Sequence, residues 1–275
     1  MGVKRSVLIL MIMLACGAKV SAGGFPVRPG SLSVSVSVTS FYAGQRWDSL
    51  RVKRPFDQNG HFQSINYSLY AELGLSRRFS LVVMVPYVTS TYQQTGLQVN
   101  AQGVTDVETG LKYYLANINY RCYFSLQATA ISPMYTDVNL GFKESGGELK
   151  LSVSGKGKIG GNNFYYNVDN AARLYIGSAG PFQYRYNGAF GLALDKNFTN
   201  QISLSAGGSY STSTLTTFSP NQATNRNFSF DQVGISYGLA FSRHVSLFLS
   251  ASEFIIGRNT GVGSSLSGAL ILKPF

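Results

Sequence analysis

The chain has 275 residues and a formal net charge of +11, but only 13% of its residues are charged, against roughly 25% in soluble globular proteins. Its cations are dispersed, which disfavours nucleic acid as a partner and favours anionic lipids or anionic solutes. Cys122 is the single cysteine after residue 22, so a disulfide within the exported chain is excluded. Because the chain also has only two histidines, we expect no metal site, and we expect no cofactor.

Residues 1–22 have the pattern of a cleaved signal peptide. A basic start precedes a short apolar run at 7–15, and small residues at 20–22 suit a signal peptidase. The apolar run is too short to span a bilayer, so it indicates export rather than anchoring. An alternative is lipidation of Cys16, since "MLAC" resembles a bacterial lipobox. The sequence therefore predicts one exported domain, residues 23–275.

The first element after the signal is a strand with two different faces. In "SLSVSVSVTSF", residues 31–41, leucine and valines alternate with serines, and the side chains of a strand alternate faces with a period of two. One face is therefore apolar and the other is polar.

This alternation recurs along the chain. Weak, repeated alternations of about ten residues, separated by turns, are typical of transmembrane barrels. No run after residue 22 approaches the ~20 apolar residues of a membrane helix. We predict an all-β, antiparallel transmembrane β-barrel of about twelve strands, with ten to fourteen compatible with the pattern. Alternating runs lie near 64–73, 81–87, 106–115, 121–130, 148–154, 163–176, 184–194, 202–206, 233–241, 245–251 and 262–272.

Loop lengths also indicate a transmembrane barrel, because long and short connections alternate along the chain. In outer-membrane barrels the short turns face the periplasm and the long loops face outside. A glycine-rich segment, "GKGKIGGN", is predicted to be a turn rather than a phosphate-binding loop. Short turns are predicted at 76–78, 116–119, 195–200 and 242–244, and long connections at 45–60, 93–103, 134–147 and 214–227.

The polar faces carry ionisable residues that the core of a soluble β-sandwich could not hold, because each would lose its hydration. The polar face must therefore line a wet lumen, and the apolar face must meet lipid. We expect ion pairs that fill a narrow lumen, a polar constriction that selects solutes, or both. The candidate pore-lining residues are Glu72, Asp106, Glu108, Lys112, Arg121, Asp169, Arg173 and Arg185.

The chain ends in Phe275, and a terminal aromatic on the last strand resembles the assembly signal of bacterial outer-membrane proteins. It implies the barrel-assembly machinery as a partner during biogenesis. Lys273 and Pro274 depart from that pattern, since proline cannot donate to a strand ladder.

Two segments, "LGLSRRFSLVVMVPYV" (73–88) and "GVTDVETGLKYYL" (103–115), resemble a family of outer-membrane transporters named for the meta-pathway of phenol degradation. That family is related in style to fatty-acid and aromatic-hydrocarbon channels. The resemblance covers about 45 residues, and Thr105 stands where the family usually has glycine. It implies passage of small hydrophobic or aromatic molecules. The matching positions are Pro86, Tyr87, Asp106, Gly110, Lys112 and Tyr113.

Taken together, these patterns predict a passive channel for small molecules in the outer membrane of a Gram-negative bacterium, with no enzymatic activity. The alternative is a non-transporting barrel, either a structural or adhesive surface protein or a lipid-modifying enzyme. An enzyme needs a histidine beside a nucleophile or a metal. His61 and His244 are predicted at opposite ends of the barrel, so they cannot cooperate.

Overall fold

The structure is a computed structural model, and it describes residues 25–177, 179–215, 218–219 and 221–273. The predicted signal peptide and the predicted assembly signal at Phe275 lie outside the described residues. Among the described residues, no helix has the length and apolar character needed to cross a membrane.

Within the described part of the chain, one antiparallel sheet of fourteen strands closes into a barrel of twelve. The other two strands are β2 and β5. At one end of the barrel, β2 pairs with residues 45–47 of β1, and β5 pairs with residues 87–94 of β4. The strands are β1 (Leu32–Trp47), β2 (Lys53–Pro55), β3 (His61–Gly74), β4 (Phe79–Gln94), β5 (Leu97–Val104), β6 (Asp106–Ile118), β7 (Cys122–Pro133), β8 (Gly146–Ile159), β9 (Asn162–Tyr175), β10 (Phe182–Ala193), β11 (Asn200–Thr212), β12 (Phe228–Ala240), β13 (Val245–Arg258) and β14 (Thr260–Leu272).

The barrel closes because β1 pairs on both of its edges. Val36 lies opposite Leu69 of β3 on one side and opposite Leu270 of β14 on the other. Closure leaves no free edge in the wall, so the backbone groups of every barrel strand can find partners within the sheet. The predicted fold class and strand number are confirmed.

The alternation of β1 has the predicted consequence for its side chains. Val36 and Val38 are 44% and 40% exposed on the outer surface. Ser35 and Ser37, on the other face, point into the lumen. An apolar outer wall and a polar inner wall are the arrangement that lipid outside and polar groups inside require.

The five connections at one end of the barrel are all short, as predicted, whereas the other end carries both long and short connections. We call one end the short-turn rim; its connections are residues 75–78, 119–121, 160–161, 194–199 and 241–244. We call the other end the long-loop rim, and it carries the long connections 48–60, 134–145 and 213–227. Three further connections at the long-loop rim are short, namely 95–96, 176–181 and 259.

Two predicted connections are strands instead. The glycine-rich segment belongs to β8, and only Gly160 and Gly161 form the turn, with φ of +56° and +88°. The glycines at 155 and 157 fit a strand because aromatic rings of β9 cover them: an added Cβ at 155 would lie 2.3 Å from the Tyr166 ring. Likewise, most of the connection predicted at 93–103 is strand, because β4 and β5 form a hairpin with a two-residue turn.

Candidate functional site: the charged and aromatic walls of the lumen

A buried ion pair lies in the lumen toward the short-turn rim. Lys112 of β6 places Nζ 3.2 Å from Glu72 Oε1 on β3, although β4 runs between the two strands. The second carboxylate oxygen of Glu72 accepts a hydrogen bond of 2.9 Å from the Tyr70 hydroxyl. Glu72 is 3% exposed and Lys112 is 6% exposed, so each ion needs the other to compensate for lost hydration.

A larger network lies nearer the long-loop rim and centres on Arg173 of β9. Its Nε donates to Glu148 Oε2 of β8 at 2.8 Å, and its guanidinium also forms an ion pair with Glu108 of β6. Arg185 of β10 donates to the same Glu148 oxygen at 3.2 Å. Two carboxylates and two guanidiniums are thereby joined across the lumen face of strands β6 to β10.

Asp106 extends this network toward the long-loop rim through hydrogen bonds from two tyrosine hydroxyls. Tyr135, in the loop after β7, donates to Asp106 Oδ1 at 2.9 Å, and Tyr175 of β9 donates to Oδ2 at 3.0 Å. Burial raises the pKa of the Tyr135 hydroxyl above its ordinary value, so Tyr135 keeps the proton that it donates. The Tyr175 hydroxyl also accepts from Arg173 at 3.4 Å, which connects Asp106 to the ion pairs.

The structure brings most of the predicted pore-lining residues together. Glu72 and Lys112 form one pair, while Asp106, Glu108, Arg173 and Arg185 belong to the larger network. Asp169 is separate: it accepts a hydrogen bond of 2.6 Å from Asn167 Nδ2 on its own strand.

The prediction that Arg121 faces the lumen from a strand is wrong. The turn predicted at 116–119 lies at 119–121 instead, because β6 continues to Ile118. Arg121 is therefore an exposed residue of the short-turn rim and does not meet Lys112 or Glu108.

Sequence reasoning missed Glu148, which is central to the larger network. The signal was present, because Glu148, Lys150, Ser152 and Ser154 occupy alternate positions of one strand, the rule that identified Glu72. Glu148 is 8% exposed and contacts two guanidiniums.

Aromatic side chains form a second wall of the lumen, on β1, β3, β12 and β13. The rings of Phe230 and Phe254 stack with centroids 4.1 Å apart and an angle of 6° between their planes. Phe41 lies 5.3 Å from Phe254 and 6.2 Å from Phe62. We call these four residues the aromatic row. Phe41 shares a face with the lumen serines of β1, so the alternation of residues 31–41 placed it inside the barrel.

The long loops fold over their rim and contact one another. Asn221 Nδ2 donates to the Asn139 carbonyl at 2.8 Å, joining the loops 213–227 and 134–145. Arg226 Nη1 donates to Glu144 Oε1 at 2.9 Å and to the carbonyl of Ala179 at 2.8 Å, which adds the connection 176–181. A cavity of about 160 Å³ remains between these loops and strands β3 to β5.

The segment before β1, residues 25–31, crosses the short-turn rim, and we call it the N-terminal strap. Gly30 N–H donates to the Gly74 carbonyl at 2.8 Å, close to the start of β1. At its other end the Phe25 ring lies 5.0 Å from Tyr123 of β7, edge to face, and 5.7 Å from Lys156 Nζ of β8. Gly74 has to be glycine here, because a Cβ would lie 2.1 Å from the Arg28 carbonyl oxygen.

The strap lies next to the ion pair of Lys112 and Glu72, on its short-turn side. Pro26 and Val27 enclose a space of only about 10 Å³ together with Lys112, Tyr114 and Ser125. The lumen is therefore covered by the strap at one rim and narrowed by loops at the other.

The two histidines lie at opposite rims, as predicted. His61 begins β3 at the long-loop rim, and His244 lies in the turn 241–244. The part of the chain that the structure describes contains no group of three or more histidine, cysteine, aspartate or glutamate residues placed to hold a metal ion.

Comparison with solved structures places this barrel among outer-membrane barrels. An outer membrane channel from Pseudomonas putida F1 superposes with a TM-score of 0.71 and 12% sequence identity, covering 93% of this chain and 100% of that one. The fold is that of an outer-membrane β-barrel. The NanC porin superposes with a TM-score of 0.51 at 5% identity, covering 87% of this chain and all of the porin.

These likenesses concern the fold, because the sequence identities are low. No protein-family model matches the chain, and no curated protein matches it by sequence. The resemblance to the phenol meta-pathway family therefore stays a prediction from the segments at 73–88 and 103–115.

Proposed function

We propose that this chain is an outer-membrane channel of a Gram-negative bacterium that passes small molecules passively. A closed barrel with an apolar outer wall and a charged lumen supports this location and role. The structural likeness to an outer membrane channel and a porin supports the same class of protein. With a periplasmic short-turn rim, the long loops would meet the solute first.

The single observation that carries the solute class is the pairing of two unlike walls in one lumen. In the aromatic row, Phe62 and Phe254 are buried, while Phe41 and Phe230 are partly exposed and can contact apolar groups. The ion-pair network across from them offers donors and acceptors to polar groups. Such a lumen suits small solutes with an apolar or aromatic part and a polar part. The family resemblance implies solutes of the same kind.

The lumen is narrow where these walls meet. Glu108, Glu148 and Arg173 are each at most 9% exposed, so side chains rather than a wide column of water fill this level. Passage through it needs either a small solute or movement of these side chains.

Liposome swelling tests the proposal with membrane-impermeant solutes that differ in one group. The unmodified chain should admit phenylalanine faster than its size predicts from the rates for leucine and arabinose. Phe254→Ala removes the stacked partner of Phe230 and should lower the ratio of phenylalanine to leucine rates. Phe190→Ala, on the outer wall and 40% exposed, should leave that ratio unchanged.

A non-transporting barrel is the second candidate, and the covered lumen favours it. The N-terminal strap covers the lumen at the short-turn rim, and the packed long loops narrow it at the other end. Absence of swelling with all three solutes, in a folded and inserted protein, would support this second function and contradict the first.

A further inference from the structure

The short-turn rim carries an excess of positive charge. Six exposed cations lie in its turns or in the N-terminal strap, and none forms an ion pair with a described residue. We call this set the basic rim. Its members are Arg28, Arg77, Arg78, Arg121, Lys196 and Arg243.

One carboxylate, that of Asp195, lies among these turns, and it accepts hydrogen bonds from backbone N–H groups. Asp195 accepts hydrogen bonds from the N–H groups of Asn197, Thr199 and Asn200, at 2.8, 3.0 and 2.6 Å. Burial alone would raise the pKa of Asp195, but these hydrogen bonds outweigh it and hold the pKa below its ordinary value. Asp195 therefore caps its own turn and neutralises at most one of the six cations.

The long-loop rim is organised differently. Its loops 48–60, 134–145 and 213–227 carry four carboxylates against five cations. Three ion pairs form at this rim, Arg46 with Asp57, Arg54 with Asp48, and Arg226 with Glu144. The charge of the basic rim is thus a property of one end of the barrel rather than of the chain as a whole.

Exposed apolar side chains accompany the cations of the basic rim. Leu75 precedes Arg77 and is 52% exposed, Tyr120 precedes Arg121 and is 76% exposed, and Leu194 precedes Lys196. On the outer wall, Arg78 donates to the Tyr113 hydroxyl at 3.0 Å, beside the exposed ring of Phe79. Apolar bodies next to long cationic side chains are the composition of a surface that lies at the boundary between lipid chains and headgroups.

We propose that the basic rim binds the phosphate groups of anionic glycerophospholipids in the leaflet that surrounds the short turns. The cations would attract anionic headgroups over about 8–10 Å at moderate salt, and the exposed leucines and aromatics would set the depth of the rim in the leaflet. This interaction is separate from solute passage and does not depend on an open lumen.

Electron paramagnetic resonance with spin-labelled lipids measures this binding. The full exported chain is reconstituted in phosphatidylcholine bilayers that contain traces of spin-labelled phosphatidylglycerol or phosphatidylcholine. We expect the unmodified protein to immobilise phosphatidylglycerol about threefold more strongly than phosphatidylcholine at low salt. Equal association of the two lipids would overturn the proposal.

Two matched variants assign the binding to one rim. The first variant should bring the preference for phosphatidylglycerol over phosphatidylcholine close to one; it combines Arg78→Gln, Arg121→Gln, Lys196→Gln and Arg243→Gln. The control makes the same charge change at the long-loop rim and should keep the preference; its substitutions are Arg51→Gln, Lys53→Gln, Arg54→Gln and Lys143→Gln. Equal losses in both variants would show that net charge alone acts and would overturn the assignment.

A further arm separates the lipid from free phosphate. Exchanging sodium chloride for sodium phosphate at constant ionic strength should leave the phosphatidylglycerol preference in place. Displacement of the lipid by inorganic phosphate would show a site for any phosphate rather than a lipid surface. Heat-modifiable gel mobility confirms that each variant is folded before its lipid association is compared.

Discussion

Arg173 on β9 forms an ion pair with Glu108 on β6, although β7 and β8 lie between these strands and 65 residues separate the two in the chain. The contact runs across the curved inner wall, and it holds the two sides of the larger network together. Because Arg173 also binds Glu148, one guanidinium compensates two buried carboxylates.

The Arg173 ion pairs predict a change in ion selectivity. Arg173→Gln leaves Glu108 and Glu148 without their shared cation, so the lumen should become more selective for cations. Reversal potentials in planar bilayers under a salt gradient measure the shift. Removing one partner of a buried pair should also lower the free energy of unfolding by up to about 3–5 kcal/mol.

Arg121→Gln is the control for that measurement, since it removes an equal charge from an exposed turn. Its reversal potential should stay close to that of the unmodified channel. An equal shift in both variants would mean that the rim, and not the buried network, sets selectivity.

The pair of Lys112 and Glu72 predicts a positive coupling in stability. Each single change, Lys112→Gln or Glu72→Gln, strands a buried ion, whereas the double change removes both. The double variant should therefore be more stable than the sum of the single effects predicts, by about 1 kcal/mol or more. Urea unfolding in micelles, followed by the fluorescence of the single tryptophan, Trp47, gives these free energies. Additive effects would show that the two ions are independently hydrated.

The two faces of β1 predict opposite responses to the same substitution. Val36→Arg places a charge on the outer wall, where arginine at the middle of a bilayer costs about 2–4 kcal/mol, so insertion should be impaired. Ser35→Arg points into the lumen and should insert normally while altering conductance. Insertion efficiency into liposomes and single-channel conductance test the pair; equal insertion defects would contradict the assigned faces.

The N-terminal strap predicts a change in conductance. Phe25→Ala removes the ring that contacts Tyr123 and Lys156, so the strap should release from the short-turn rim and conductance should rise. Phe79→Ala deletes an equally large ring, 44% exposed on the outer wall near the same rim, and should leave conductance unchanged. If Phe25→Ala has no effect, the strap does not limit passage.

The Asp195 turn predicts a pH dependence of stability. Since hydrogen bonds hold the folded pKa of Asp195 below its unfolded value, its contribution is present above the unfolded pKa of about 4 and is lost as pH falls through the folded pKa. Asp195→Ala should therefore lower the urea midpoint at pH 7 and have a smaller effect near pH 2–3. A constant deficit across that range would exclude ionised Asp195 as the cause.

The sequence by itself determined the strand faces, the approximate strand number and the rim at which the three long loops lie. These properties are local: a period of two decides which side chains share a face, and turn composition marks where strands end. The same rule placed Glu72, Glu108, Lys112 and Arg173 in the lumen, and it would also have placed Glu148 there.

Only the tertiary structure decided which lumen residues meet. The partner of Arg173 depends on the register of four neighbouring strands, and β1 meets β14 only because the whole sheet curves shut. The aromatic row combines residues from the first and last thirds of the chain for the same reason. Gly155 belongs to a strand because a ring from β9 covers it, which no local pattern shows. Register and closure depend on many pairings between distant residues. At one turn, a displacement of two to three residues, from the predicted 116–119 to 119–121, moved Arg121 from the lumen wall to the rim.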